Sequence, residues 1–443
     1  MNVILLSGGS GKRLWPLSNE VRSKQFLKIF KKEDGTHESM VQRMYRMICE
    51  VDQDAQVTIA TSENQVSSIR AQLGSKVGIS VEPCRRDTFP AIALAAAYLH
   101  DVKHISAEEA VVVCPVDPYV EEPYFRMLEK LSEQAERGEA NLVLMGIEPT
   151  YPSEKYGYIL PRTQDSLSAV DTFREKPDAE TAEKYIAQGA LWNAGVFAYK
   201  LRYVLDIAEK IFGTSSYQEL YDSYADLKKI SFDYAVVEKE RAIQVMRFAG
   251  EWKDLGTWNT LTEAMSDEVT GNAVAAECEN THIINELQIP LIALGVSDLA
   301  IAATPDGILV AEKSKSDSLK EYVADRRPMY EKRVWGEYQV LDYRIQADGN
   351  NSLTKHLVIT AGQHISYQRH RCRTEMWNIT DGCGKIIIED VVREVKRGDT
   401  VCIRPGMRHA IKADSELHII EVQIGDELTE EDIERLDWDW ENI

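Results

Sequence analysis

A chain of 443 residues is too long for one ordinary domain and ample for two or three with cores of their own. Its 51 Lys+Arg against 72 Asp+Glu give a formal charge of −21, which repels nucleic acid and anionic membrane surfaces and excludes both as partners, so phosphorylated ligands must be held by local cations. Seven scattered cysteines without a Cys-x-x-Cys predict buried free thiols, and the lack of any window approaching ~18 apolar residues predicts a soluble, cytoplasmic protein.

The chain opens on an apolar run, 3–6, that predicts a strand and leads directly into Gly8-Gly9-Ser10-Gly11-Lys12-Arg13. A glycine-rich turn leaving a strand lets backbone N–H groups of Gly8, Gly9, Ser10, Gly11 and Lys12 approach phosphates with no Cβ in the way. Arg13 and Lys24 add fixed cations, a combination suited to a nucleoside triphosphate. Spacing excludes two commoner phosphate loops. Arg13 follows Gly11-Lys12 where a Walker loop needs Ser or Thr, and Leu14 stands where a dinucleotide fingerprint needs its third glycine.

Further strands are predicted at 57–61, 79–82, 110–114 and 142–147, with amphipathic helices at 90–100 and 124–136 between them. The alternation predicts an α/β domain over 1–265: a Rossmann-like, mostly parallel sheet whose ligands bind beyond the C-terminal strand ends. Short runs at 281–284, 291–294 and 300–302, broken by Asn, Gly, Asp and Pro, predict a β spacer within 266–327, its polar segment 314–327 serving as linker. From 328 to 443, alternating strands with turns every eight to twelve residues predict a small double-sheet barrel.

Joining two anionic phosphates requires neutralised charge and aligned groups, for which Mg²⁺ is the usual agent. The candidate ligands are Asp117, just past the 110–114 strand, and Asp254, before the Gly256 turn. Glu175-Lys176 sets a carboxylate for sugar hydroxyls beside an ammonium for phosphate. In the C-terminal part, Gly362-x5-Gln368-x-His370-x4-Glu375-x6-Gly382, with Pro405-Gly406-x2-His409, has the spacing of the two cupin metal motifs, with Gln368 in place of the first histidine. Period 2 puts Gln368 and His370 on one face, and Glu375 and His409 close a set suited to Zn²⁺ or a similar divalent ion.

The string GGSGKRLWPLS followed by KQFL resembles the signature of sugar-1-phosphate nucleotidyltransferases, most closely that of bacterial mannose-1-phosphate guanylyltransferases, many of which carry a C-terminal cupin resembling type II mannose-6-phosphate isomerase. The resemblance implies transfer of GMP from GTP to α-D-mannose 1-phosphate, giving GDP-mannose and diphosphate, with Arg13, Lys24, Asp117 and Asp254 as the catalytic set and a homodimer as the assembly to consider. It further implies nucleotide contacts at Arg86 and Thr88, in the segment 82–91, and sugar contacts at Gly157, Glu175, Lys176, Asn193 and Gly195. Asp233, Glu238 and Lys239 match another family segment.

The chain departs from the family pattern at several points. Arg22-Ser23 replaces Tyr-Pro before KQFL, Asp87 replaces an asparagine, and Pro118 replaces a histidine. Arg371, Cys372 and Met376 stand where the isomerase family has histidines, which predicts weak isomerase activity. Two alternatives stay open: a bifunctional enzyme that also interconverts mannose 6-phosphate and fructose 6-phosphate, and a transferase for another hexose 1-phosphate or nucleotide with a non-catalytic cupin.

Overall fold

The computed structural model describes residues 1–8, 12–19, 22–323, 327–346, 349–429 and 432–440. The chain forms two compact units, 1–268 with 312–320, and 269–311 with 321–443.

The first unit is built on a nine-stranded sheet in the order Gly78–Glu82, Gln56–Ser62, Asn2–Ser7, Ala110–Pro115, Leu191–Lys200, Leu142–Ile147, Ile243–Phe248, Leu167–Arg174, Tyr158–Pro161. Its central strands are apolar on both faces, as burial between two helical layers demands. Val3, Leu5, Val112, Cys114, Val143 and Met145 point into one core. Their neighbours Ile4, Val111, Val113, Leu142 and Leu144 point into the other. The helices Met40–Val51 and Glu122–Arg137 supply Val41, Met44, Ile48, Phe125 and Leu128 to the first core. Thr88–Asp101 and Leu201–Phe212 supply Phe89, Ile92, Leu94, Val204 and Leu205 to the second.

The sheet is mixed, not mostly parallel. The strand 2–7 runs parallel to 56–62 and 110–115, as expected, but Leu191–Lys200 is antiparallel to both of its long neighbours. The reversal falls in 148–260, where the sequence pattern predicts no strand.

In the second unit, the spacer winds into a parallel coil. Val269–Gly271 pairs with His282–Asn285, which pairs with Leu299–Thr304, while Ala273–Ala276 pairs with Leu291–Leu294. Ile283, Ala293 and Ile301 fill its small core. The buried Asn285 donates Nδ2 to the carbonyls of Asn272 and Ile289, tying two turns of the coil.

The C-terminal part is the double-sheet barrel. One sheet holds six strands, with Gly336–Arg344, Asn351–Ile359, Leu417–Gly425 and Arg373–Asp381 adjacent; the other holds five, with His409–Ala413 between Cys383–Ile388 and Gln368–Arg369. Leu353, Leu357, Trp377, Ile386 and Ile419 pack between them. All seven cysteines are free thiols, but the expectation of burial holds for Cys114 alone: Cys49, Cys84 and Cys278 are half-buried, and Cys372, Cys383 and Cys402 are exposed. Cys402 lies on the outer face of a strand whose inward residues are Val401 and Ile403, so alternation and not the apolar run decides its environment.

Candidate active site

The two aspartates are held by a short, separate antiparallel pair that begins just past the C-terminal end of the interior strand Ala110–Pro115. Pro118–Val120 pairs with Trp252–Asp254 in a register that sets Asp254 opposite Pro118, next to Asp117. The proline where the family has histidine therefore belongs to the ladder that places both carboxylates. Lys24 reaches between them. Its Nζ lies 2.8 Å from Asp117 Oδ2 and 3.7 Å from Asp254 Oδ1, and donates to the Leu255 carbonyl at 3.3 Å.

Arg13 completes the cluster. A Cβ on Gly256 would stand 3.2 Å from Arg13 Nη1 and from both Asp254 carboxylate oxygens, so both groups converge on the space beside this glycine. Trp258 donates Nε1 to the Trp15 carbonyl, joining the 254–258 turn to the exit of the glycine loop. Gly8 ends the first strand in open space; Gly9, Ser10 and Gly11 lie outside the described residues, as does the side chain of Lys12.

Electrostatics divide the carboxylates. Burial would raise Asp117, but the adjacent Lys24 ammonium holds it below the ordinary carboxylate value. Asp254 is raised, by burial and by the Asp117 charge against the pull of Lys24. Burial works against the Lys24 ammonium, yet Asp117 and then Asp254 raise it above its ordinary value. One lysine thus bridges two carboxylates that still repel each other, leaving a site that gains from further positive charge.

Lys24 is set by a buried network that the sequence did not reveal. Gln65 accepts from Thr61 Oγ1 at 3.0 Å and from Gln25 Nε2 at 3.1 Å, and donates to Ser23 Oγ at 2.8 Å. Gln25 also donates to Ser7 Oγ at 3.1 Å. The ends of two sheet strands are therefore fastened to both neighbours of Lys24. Ser23, where the family has proline, keeps φ at −72°, within proline's own range, and adds the bond to Gln65.

Beside the aspartates opens a cavity of ≈ 220 Å³ lined by Asp117, Asp254, Tyr156, Glu175, Asn193 and Asp233 among others. A bulge between Asn193 and Phe197 interrupts the 191–200 strand, with Gly195 at φ 69°, and turns Asn193 toward the opening. The Asn193 amide is fixed at both ends: Nδ2 donates to Asp233 Oδ1 at 2.7 Å, and Oδ1 accepts from the Gly195 N–H at 3.1 Å. Burial, then the charge of Glu175, pushes Asp233 up to about 6. Lys176 Nζ lies 2.8 Å from Glu175 Oε1. A Cβ on Gly157 would meet Glu175 Oε2 at 2.5 Å, so the glycine leaves room for the carboxylate where it stands. Tyr156 stands between Trp192 and Trp252, at ring distances of 5.0 and 5.4 Å, and forms an aromatic wall.

The expected nucleotide segment bonds mainly to the distant segment 224–232. Arg86 Nε donates to the Tyr224 carbonyl at 3.3 Å, and Thr88 Oγ1 accepts from the Phe232 N–H at 2.8 Å. Asp87, at φ 74°, caps the following helix through the Thr88 N–H. Glu238 and Lys239 are exposed, whereas Asp233 of the same segment lines the cavity.

A second cluster lies inside the barrel. His370, Glu375 and His409 offer donor atoms within 4.8 Å of one another, all buried, with Gln368 Nε2 3.4 Å from His370 Nε2. His370 Nδ1 faces the Asp432 carbonyl at 3.1 Å and His409 Nδ1 the Met407 carbonyl at 3.0 Å, so both Nε2 atoms turn inward with their lone pairs. Glu375 Oε2 and His409 Nε2, 3.5 Å apart, are buried without a hydrogen-bond partner. Arg373, two residues before Glu375 on the same face, donates Nε to Glu375 Oε1 at 2.8 Å and lies 3.2 Å from His370 Nε2. Deeper in, Gln423 joins Glu375 to Glu421, whose carboxyl burial pushes up to about 7.

The nucleotidyl transferase family model matches residues 2–271, and a model for the C-terminal domain of mannose-6-phosphate isomerase matches 321–438. The chain belongs to the nucleotidyl transferase family. This transferase is 31% identical over 98% of both chains to a Salmonella montevideo protein named mannose-1-phosphate guanylyltransferase. It is 30% identical over 98% of its length and 97% of the relative's to the xanthan biosynthesis protein XanB of Xanthomonas campestris. Among solved structures, it resembles a Thermus thermophilus protein titled mannose-1-phosphate geranyltransferase, with TM-score 0.61 and 28% identity over 72% of this chain and 97% of that one. Nucleotide and sugar phosphate are the substrates this family implies. Among the described residues, no helix is long and apolar enough to cross a membrane.

Proposed function

We propose that this nucleotidyl transferase makes GDP-mannose from GTP and α-D-mannose 1-phosphate. The observation that carries the reading is the Asp117–Lys24–Asp254–Arg13 cluster at the rim of a cavity lined by Glu175 and Asn193. A sugar phosphate oxygen attacks the α-phosphorus of GTP, the new P–O bond forms as the bond to the β-phosphate oxygen breaks, and diphosphate leaves. Two carboxylates sharing one ammonium suit a hard divalent ion, and Asp117 and Asp254 would hold Mg²⁺, which neutralises phosphate charge when bound. Arg13 and Lys24 bind phosphate oxygens and take up charge on the leaving diphosphate. Glu175 and Asn193 orient the hexose through its hydroxyls, and Tyr156 gives its ring a flat apolar surface.

In the barrel, Gln368, His370, Glu375 and His409 would hold a divalent ion such as Zn²⁺; the partnerless Glu375 Oε2 and His409 Nε2 fit one. The reading keeps isomerase turnover weak. Arg371 and Cys372 are exposed, while Met376 projects from the face opposite Glu375 and Trp377, so it bears less on the interior than its sequence position implies.

A panel of four nucleoside triphosphates against several hexose 1-phosphates, with and without Mg²⁺, tests the proposal. GTP with mannose 1-phosphate should give the highest kcat/KM. A different preferred pair, or full turnover without a divalent ion, overturns it.

A further inference from the structure

On the outer face of the barrel, away from the interior donors, two histidines meet across adjacent strands. His356 belongs to Asn351–Ile359 and His418 to Leu417–Gly425; in the antiparallel register His356 faces Ile420 and His418 faces Val358, so the imidazoles are diagonal neighbours. Alternation sends Lys355, Leu357, Ile419 and Glu421 inward and leaves both rings partly open to solvent.

His418 Nδ1 and His356 Nε2 are 3.3 Å apart. Two nitrogens bound to one tetrahedral zinc at ordinary bond lengths are separated by about 3.3 Å, so the pair already has the spacing of one edge of such a site. On its far side, His418 Nε2 lies 3.3 Å from Glu416 Oε1. A carboxylate there accepts the Nε2–H hydrogen bond and leaves the Nδ1 lone pair facing His356, the kind of outer contact that orients metal-bound imidazoles. Glu337, on the next strand, stands opposite Val358 and so diagonal to His356. Glu337 and Glu416 also make the local field favourable to a cation.

We infer that His356 and His418 form a two-histidine site for a first-row divalent cation such as Zn²⁺, clamping these two strands on the outer face of the barrel, with Glu416 as the residue that orients His418 and water in the remaining positions. The site shares no residue with the interior donors. On binding, the Nε2–H···Nδ1 hydrogen bond is given up and His356 loses its Nε2 proton to water while gaining one at Nδ1, so that both facing lone pairs reach one ion.

The test uses untagged full-length protein stripped by chelator, with bound Zn²⁺ counted by equilibrium dialysis. His356→Gln and His418→Gln should each lose one zinc per chain or bind it at least ~10-fold more weakly, and Glu416→Gln should weaken it about 10-fold. The double variant His370→Ala/His409→Ala should keep this zinc. Equal stoichiometry and affinity in wild type and both glutamine variants overturns the site, as does a loss confined to the interior variant. Should a glutamine variant melt early without metal, zinc protection of wild-type His418 from diethyl pyrocarbonate, read by peptide mass, decides instead: protection supports the site and unchanged modification overturns it.

Discussion

Lys24 Nζ lies 2.8 Å from Asp117 Oδ2, a contact between a residue of the glycine-loop region and one at the end of the fourth strand of the chain's parallel half. The same ammonium lies 3.7 Å from Asp254. The lysine therefore bridges the carboxylates before any substrate arrives, and substrate phosphates must compete for its charge.

Asp254→Asn keeps the side-chain shape and removes one charge from this arrangement. If Asp254 helps hold Mg²⁺, its charge matters most as diphosphate leaves. The variant should lose at least ~100-fold in kcat, or about 2.7 kcal/mol of transition-state stabilisation. Steady-state rates over a range of Mg²⁺ check this, and near-normal turnover removes Asp254 from the ion site.

Arg13 and Lys24 should respond differently to substitution. Arg13→Lys retains charge but not the planar fork, so the GTP KM should rise and kcat should fall. Lys24→Met also leaves Asp117 and Asp254 facing each other without their shared cation. Its loss in kcat should be the larger, at least ~100-fold, in parallel assays. Unchanged GTP affinity and rate in Arg13→Ala would show that Arg13 does not bind the nucleotide.

Gln65 is fully buried and fastens Ser23 and Gln25, the neighbours of Lys24, to the sheet. Gln65→Leu strands several buried polar groups and should cost about 2–4 kcal/mol of stability. If the network also positions Lys24, kcat should fall well below the temperature of melting while Gln65→Glu restores part of it. A variant that melts early but turns over normally at low temperature limits Gln65 to a structural role.

The parallel half of the sheet was legible because its strands are short apolar runs next to strongly patterned helices. The expected strand at 3–6 is Asn2–Ser7, and that at 57–61 is Gln56–Ser62. The strand carrying Asn193 was not legible as a strand, because it contains a bulge and a glycine at positive φ that serve the cavity and break the period-2 pattern. Arg373 could have been found, since it lies two residues from Glu375 and shares its face. Gln65 could not. Its one local partner is Thr61, and the two that matter for Lys24, Ser23 and Gln25, lie 42 and 40 residues away in the chain.

Asp233 gives a pH prediction of definite sign. Burial and Glu175 raise its carboxyl from 3.8 to about 6 in the folded protein. A raised folded value means that this group favours folding while protonated and that its contribution is lost as pH rises through about 6. Asp233→Asn removes the titration. From about pH 4 to pH 7, wild-type stability should therefore fall relative to the variant by roughly 1–3 kcal/mol in paired melts. A constant difference across that range shows that Asp233 titrates as an ordinary surface carboxyl.

The barrel prediction separates binding from turnover. Glu375 Oε2 and His409 Nε2 are buried and without a hydrogen-bond partner, a costly arrangement that one divalent ion relieves. Metal analysis should find one ion per chain in this site, lost in His370→Ala/His409→Ala. Arg373 already contacts Glu375 Oε1 and approaches His370 Nε2, so ion and guanidinium compete for the same donors. Arg373→Met should therefore tighten zinc binding in equilibrium dialysis, and weaker binding would show that the guanidinium positions the donors instead. Fructose 6-phosphate offered with Zn²⁺ should turn over weakly or not at all, because Arg371 and Cys372 at the exposed rim lack the proton-transfer capacity of imidazoles near neutral pH. Isomerisation in the usual enzyme range of about 1 to 1000 per second would overturn this expectation and make the chain bifunctional.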